Sequence, residues 1–149
     1  MNPPVNNWRI FVHEGFEKQL AKLSGGIAWM QAADQTTTKN NLRKKVLKAI
    51  KRTMFEAVPA LPGRAEHRLG HTIGRENTAW FRVKVLQQYR LFYRYDSASR
   101  IIVYVWVNDE ESLRAYGSKT DAYALFAKML SSGYPPSTFE ELLKQSREI

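Results

Sequence analysis

The 149 residues, 44% of them hydrophobic and 12% aromatic, suffice to bury one sizeable core but not two, so residues 1–149 are expected to form one domain. There is no cysteine, which excludes disulfide frameworks, thiol catalysis and thiolate zinc sites, and Arg9, Glu14, Glu17, Lys18 and Lys22 interrupt any leader or membrane-spanning stretch in the first thirty residues; a cytoplasmic protein is expected. Of the net charge of +9, the segment from Lys39 to Arg100 carries +11, with fifteen Lys and Arg against Glu56, Glu66, Glu76 and Asp96, which implies a polyanionic partner: RNA, DNA, an acidic membrane surface or an acidic protein.

Trp8 to His13 reads as a first strand, and Phe16, Leu20, Leu23 and Ile27 recur at helical spacing after Glu14. A second helix is predicted from Leu42, Val46, Ile50 and Met54 on one face, with Pro59 and Pro62 closing it. Its other face holds Arg43, Lys44, Lys45, Lys48, Lys51 and Arg52, preceded by Lys39, with no acid among them. That cluster suits either ribosomal RNA or acidic segments of a protein partner.

Between Arg64 and Val107 the pattern changes to β-branched and aromatic runs broken at Gly74–Thr78, Leu86–Gln88 and Asp96–Ser99, which predicts an antiparallel meander of three or four strands. The run Ile101 to Val107 is apolar throughout and suits a central strand covered on both faces. Asn108 and Asp109 read as caps of a short helix stopped near Gly117. Another helix is expected from Asp121, burying Tyr123, Phe126, Met129 and Leu130, and after Gly133, Pro135 and Pro136 a last one from the capping-box pair Ser137 and Glu140. The fold class is therefore α+β.

Candidate chemistry lies in Trp80 to Tyr95, which holds Arg82, Lys84, Arg90 and Arg94 and no acid. Strand alternation puts Arg82 and Lys84 on one face of their strand and Arg90, Phe92 and Arg94 on one face of the next. A hairpin loop with an odd number of residues brings both sets to the same side. Such alternation also makes an ordinary solvated face, but a surface without such a purpose usually mixes signs to avoid like charges across strands. His13, His67 and His71 share no metal-site spacing; a general-base role for His67 or His71 requires that ring to face the arginines.

Arg82-Val-Lys84, Gln88 to Arg94, Val107 to Glu110, Leu113 to Tyr123, Lys128-Met-Leu and Gly133-Tyr-Pro-Pro136, with Trp8 and His67 to Gly70, resemble the YhaV toxins of the RelE superfamily. The resemblance spans nearly the whole chain. It implies a RelE-like fold, two N-terminal helices packed on an antiparallel sheet of about four strands with additional C-terminal helices. It also implies a toxin of a type II toxin–antitoxin system that cuts messenger RNA, commonly with ribosome involvement, and is silenced by an antitoxin of the AbrB or PrlF type. Such enzymes use no metal or cofactor: the 2′-hydroxyl attacks the adjacent phosphate.

The positions matching their catalytic residues are Arg82, Lys84, Arg90, Lys119 and Tyr123; Lys119 stands where the superfamily often has arginine. Further RNA contacts are expected from Arg68, Arg75, Arg94, Arg114, Lys44 and Lys48. Arg82 and Arg90 suit the charge that grows on phosphate in the transition state, since each planar fork can hold two oxygens. Lys84, set among cations that ease loss of its proton, suits proton transfer at the 2′-hydroxyl or the leaving oxygen. Tyr123 fits core packing as well as it fits stacking or hydrogen bonding in a site. The alternative to a nuclease is a toxin or RNA-binding regulator that uses the same face only to bind.

Overall fold

A computed structural model describes residues 6–25, 28–32, 41–109 and 121–149. Five strands form one sheet in the order β2-β3-β4-β1-β5: β1 (Arg9–His13), β2 (Phe81–Val85), β3 (Tyr89–Asp96), β4 (Ile101–Val107) and β5 (Ser146–Glu148). The helices are α1 (Glu14–Leu23), the short α2 (Trp29–Ala32), α3 (Asn41–Arg52), α4 (Val58–Ala60), α5 (Ala122–Ser132) and α6 (Phe139–Lys144). The α+β class agrees with the sequence.

The β2-β3-β4 meander is antiparallel and turns at two of the predicted breaks, Leu86–Gln88 and the residues after Asp96. The purely antiparallel sheet of four strands is corrected in two respects. Strand β1 runs parallel to β4, pairing Arg9 with Ile101 through Val12 with Tyr104, so the sheet is mixed. The helical segments between β1 and β2 give the chain length to return in either direction, and alternation of side chains carries no information about which. Secondly, the chain leaves α6 as a fifth strand, β5, antiparallel to β1. This edge is pinned by the forked pair Arg9–Glu148, at 2.8 and 3.0 Å, and by Arg147 on Glu17.

As its apolar run required, β4 has strands on both sides and side chains buried on both faces. On one face Phe16 and Leu20 of α1 and Val46, Leu47 and Ile50 of α3 pack against Ile10, Val12, Val83, Leu91, Tyr93 and Tyr104. On the other, Phe126 and Leu130 of α5 and Leu142 of α6 cover Trp80, Phe92, Val103 and Val105. A bulge in β4, where the register steps from Tyr93–Tyr104 to Phe92–Trp106, sends both Val105 and Trp106 to the α5 side. Beyond the end of β1, the amide of Gln19 substitutes for a neighbouring strand, donating to the Val107 carbonyl at 2.6 Å and accepting from its N–H at 3.1 Å.

The second predicted helix closes between Pro59 and Pro62, as expected, but it is not α-helical throughout. It widens to a π turn at Thr53–Ala57 and continues to Ala60, and the wider turn just ahead of Pro59 relieves the clash its ring would make with an i−4 carbonyl. The last helix starts one residue later than Ser137: Thr138 caps it, its hydroxyl accepting from Glu141 N–H at 3.3 Å. The same Ser/Thr-x-x-Glu spacing occurs in both registers, and the Ser137 carbonyl is instead engaged by Arg94. Ile27, and the predicted helix from Glu110 to Gly117, lie outside the described residues.

Candidate active site

The hairpin places the cations. Lys84 pairs directly with Arg90, and Arg82 with Phe92, across a three-residue loop, Leu86–Gln88, in which Leu86 takes a left-handed φ of 53°. An odd loop and a two-residue period therefore bring Arg82, Lys84 and Arg90 to one face, the face covered by α5. Helix α5 is seated there by Phe126, which stacks on Phe92 at 4.2 Å and meets Trp80 edge-on at 5.0 Å. Asp121 caps its first turn, accepting from Tyr123 N–H at 3.2 Å, and the Tyr123 ring stands edge-on to Phe92.

Its hydroxyl is where the arginines meet. Arg82 Nε donates to Tyr123 Oη at 2.7 Å and Arg90 Nε donates to the same oxygen at 3.2 Å. The Tyr123 ring thus packs in the core, and its oxygen lies between two guanidiniums. Arg82 Nη1 also donates to the Glu66 carbonyl at 2.6 Å, and Arg90 Nη1 to the carbonyls of Gln87 and Tyr89 at 2.8 and 3.0 Å. Neither Nη2 has a hydrogen-bond partner among the described residues, and no fully buried side-chain nitrogen or oxygen there lacks one, so neither Nη2 is wholly enclosed. The exposed Lys84 completes the cluster opposite Arg90. Three cations gathered on one face with no acid among them suit a phosphate.

Arg90 is 3% exposed, and Asn108 explains how it is held. The Asn108 side chain accepts from Arg90 N–H at 2.6 Å and donates to the Gln88 carbonyl at 3.0 Å, tying the hairpin end to the end of β4. This pinning is absent from the reading of Asn108 as a helix cap, and no local sequence signal marks a contact that spans 18 and 20 residues. Asn108→Ala leaves a buried N–H and a carbonyl unpaired, so a loss of about 1–3 kcal/mol is expected in urea unfolding.

The other expected residues fall elsewhere. Lys119 and Arg114 lie outside the described residues. Arg94 shares the face but reaches away from the cluster, its guanidinium between the rings of Trp80 and Phe139 and donating to the Ser137 carbonyl; burial lowers its proton affinity. Arg68 and Arg75 are exposed, Arg68 bridging Phe81 through its backbone. Lys44 and Lys48 sit on α3, whose apolar side packs on the opposite face of the sheet. A cleft of about 280 Å³ lined by Lys22, Arg43, Val46, Tyr89 and Asn108 involves that helix layer, not the cation cluster. No three His, Cys, Asp or Glu side chains gather to hold a metal among the described residues, and no helix there is long and apolar enough to cross a membrane.

A family model described as a toxin with endonuclease activity, of a toxin–antitoxin system, matches residues 10–147. The chain belongs to the YhaV toxin family. It is similar to the ribonuclease toxin YhaV of Escherichia coli strain K12, 34% identical over 146 residues that cover 97% of this chain and 95% of the relative. Toxin YhaV of Escherichia coli O157:H7 matches to the same extent. No solved structure matches the chain. As a YhaV-family toxin the protein is an endonuclease, and its cation cluster is the candidate place for that activity.

Proposed function

We propose that this endonuclease toxin cuts RNA without a metal ion, the 2′-hydroxyl attacking the adjacent phosphate to leave a cyclic phosphate and a 5′-hydroxyl. The observation that carries this reading is the convergence of Arg82 and Arg90 on the Tyr123 hydroxyl, with Lys84 directly across from Arg90. The phosphate gains charge as it becomes pentacoordinate, and fixed cations that meet that charge lower the barrier more than they aid ground-state binding. In this arrangement Arg82 and Arg90 clamp the phosphate oxygens through Nη2, and Tyr123 orients both forks. Lys84, as an ammonium, protonates the departing 5′ oxygen, while Lys119 adds charge. The name of the Escherichia coli relative, ribonuclease toxin YhaV, supports RNA as the substrate.

The resemblance to RelE-type toxins supports the finer reading: a RelE-like architecture, messenger RNA on the ribosome as the substrate, action in the cytoplasm and a cognate antitoxin of the AbrB or PrlF type. Arg68, Arg75, Arg94, Arg114, Lys44 and Lys48 serve as outlying RNA contacts, felt mainly as salt dependence.

The test is labelled RNA incubated with the purified toxin in EDTA, with and without ribosomes, followed by mapping of the ends. Cyclic phosphate ends that persist under chelation are expected; 5′-phosphate and 3′-hydroxyl ends would overturn the mechanism. Equal cutting of free and ribosome-bound RNA would remove the ribosome from it. Tyr123→Phe keeps the ring on Phe92 and deletes the acceptor shared by Arg82 and Arg90, so stability is expected to fall by about 1–3 kcal/mol and cleavage by the still-folded protein about tenfold to a hundredfold, read by melting and by single-turnover kinetics.

A further inference from the structure

Attack by a 2′-hydroxyl needs a group to take its proton, and neither guanidinium can do so, because both stay charged at any working pH. A second fastened segment borders the cluster. The chain from Leu61 to Arg68 runs along the edge of the sheet at β2, held by Arg68 bridging Phe81 and by the Tyr93 hydroxyl donating to the Pro62 carbonyl at 2.7 Å. Gly63 lies so close to Tyr95 that a Cβ there would collide with its hydroxyl. The Glu66 carbonyl is the one that Arg82 Nη1 holds, so the next residue, His67, is tied by its own backbone to the guanidinium.

The hydrogen bonds of His67 determine its tautomer. Its Nδ1 lies 3.0 Å from Tyr93 Oη. Because the Tyr93 proton is directed to the Pro62 carbonyl, that oxygen can only accept from the imidazole, and Nδ1 carries the hydrogen. Nε2 is left with its lone pair. It has no hydrogen-bond partner among the described residues and, with no buried orphan atoms there, it reaches solvent.

The groups that act on this ring are Tyr93 from β3, Arg64 and Glu66 from its own segment, and Arg82 from β2. Burial, then the charge of Arg64, lowers its proton affinity below that of a free histidine, Arg82 adds to this, and Glu66 opposes it. The ring is therefore neutral at neutral pH.

We infer that His67 is the general base of this nuclease, its Nε2 taking the 2′-hydroxyl proton of the nucleotide whose phosphate Arg82 holds. The inference rests on the 2′-hydroxyl mechanism proposed above. In the step, the bond from O2′ to phosphorus forms as the 2′ proton passes to Nε2. The bond from phosphorus to O5′ breaks, and O5′ takes a proton from the Lys84 ammonium. Water then removes the proton from His67 and restores that of Lys84. Tyr93 is a positioning residue that keeps the lone pair on the outward nitrogen.

His67→Asn decides the matter, because the asparagine amide can replace the Nδ1 donor to Tyr93 but holds no base. With the full-length toxin, single-turnover cleavage and RNA binding are measured from pH 5 to 8. The expected result is a rate reduced by about 10²- to 10⁴-fold in the variant, unchanged RNA affinity at neutral pH, and loss of the acid limb that the parent shows below the usual histidine range. A folded variant that cleaves within a fewfold of the parent overturns the role of His67, as does a slowed variant that retains the parent's acid limb. Parent products lacking a cyclic phosphate overturn the 2′-hydroxyl mechanism itself, and His67 as its base with it. Should the variant unfold, the test passes to the parent and Tyr93→Phe. Nitrogen shifts of His67 showing Nδ1–H in the parent and a mixture in Tyr93→Phe, with a matching loss of rate, sustain the role; an Nε2–H parent overturns it.

Discussion

Arg82→Ala is expected to slow RNA cleavage by about 10²- to 10³-fold and to abolish toxicity while the protein stays folded. The residue is half-buried and its contacts are polar, so its removal opens no cavity in either core layer. The stability lost is that of its bonds to Tyr123 and the Glu66 carbonyl, of order 1–3 kcal/mol, measurable by denaturant titration. Binding should weaken less than catalysis, because Arg90 and Lys84 still attract the phosphate in the ground state. With one phosphate contact fewer, the salt dependence of single-stranded RNA affinity should flatten by about 0.7 in logarithmic slope. Arg82→Lys is expected to recover binding before rate, since an ammonium keeps the charge and loses the fork that reaches both Tyr123 and a phosphate oxygen. A folded Arg82→Ala protein that cleaves within about threefold of the parent would remove the cation cluster from the chemistry.

Phe126→Ala is the substitution expected to cost most stability, about 3–5 kcal/mol by truncation of a buried aromatic. Phe126 is fully buried and packs on Phe92, Trp80 and Trp106, so three rings lose a neighbour at once. Native proteins typically have about 5–15 kcal/mol in all, so the variant should melt far earlier and accumulate poorly. Its effect on cleavage should exceed the unfolded fraction even at low temperature. The reason is that Phe126 seats the helix that carries Tyr123, and a shift of that helix parts the hydroxyl from Arg82 and Arg90. Urea unfolding and single-turnover rates measured on the same preparation separate the two effects; rates that follow the folded fraction alone would argue against this coupling.

Much of the meander was legible because strand period and turn chemistry are local. The breaks at Leu86–Gln88 and after Asp96, the burial of Ile101–Val107 on both faces and the helix opened by Asp121 all follow from residues within a few positions of one another. The common face of Arg82, Lys84 and Arg90 followed from parity once the loop had three residues. By contrast, the prolines that close the second helix gave no sign of the π turn ahead of them, and Ser137 and Thr138 offered two equal capping registers between which Arg94 discriminates by taking the Ser137 carbonyl.

The amino-acid order alone determined the class of the fold, the side of the hairpin on which the cations stand and the sign of the partner they attract, because each is set by alternation, turn length or summed charge. The tertiary structure decided the rest. It laid β1 parallel to β4, brought the Tyr123 hydroxyl between two arginines 41 and 33 residues away, and set Asn108 against the back of Arg90. It also turned His67 so that Tyr93 holds one nitrogen and leaves the other open. Such contacts join segments distant in the chain, and their geometry comes from how the two layers pack on the sheet, a property with no period to read.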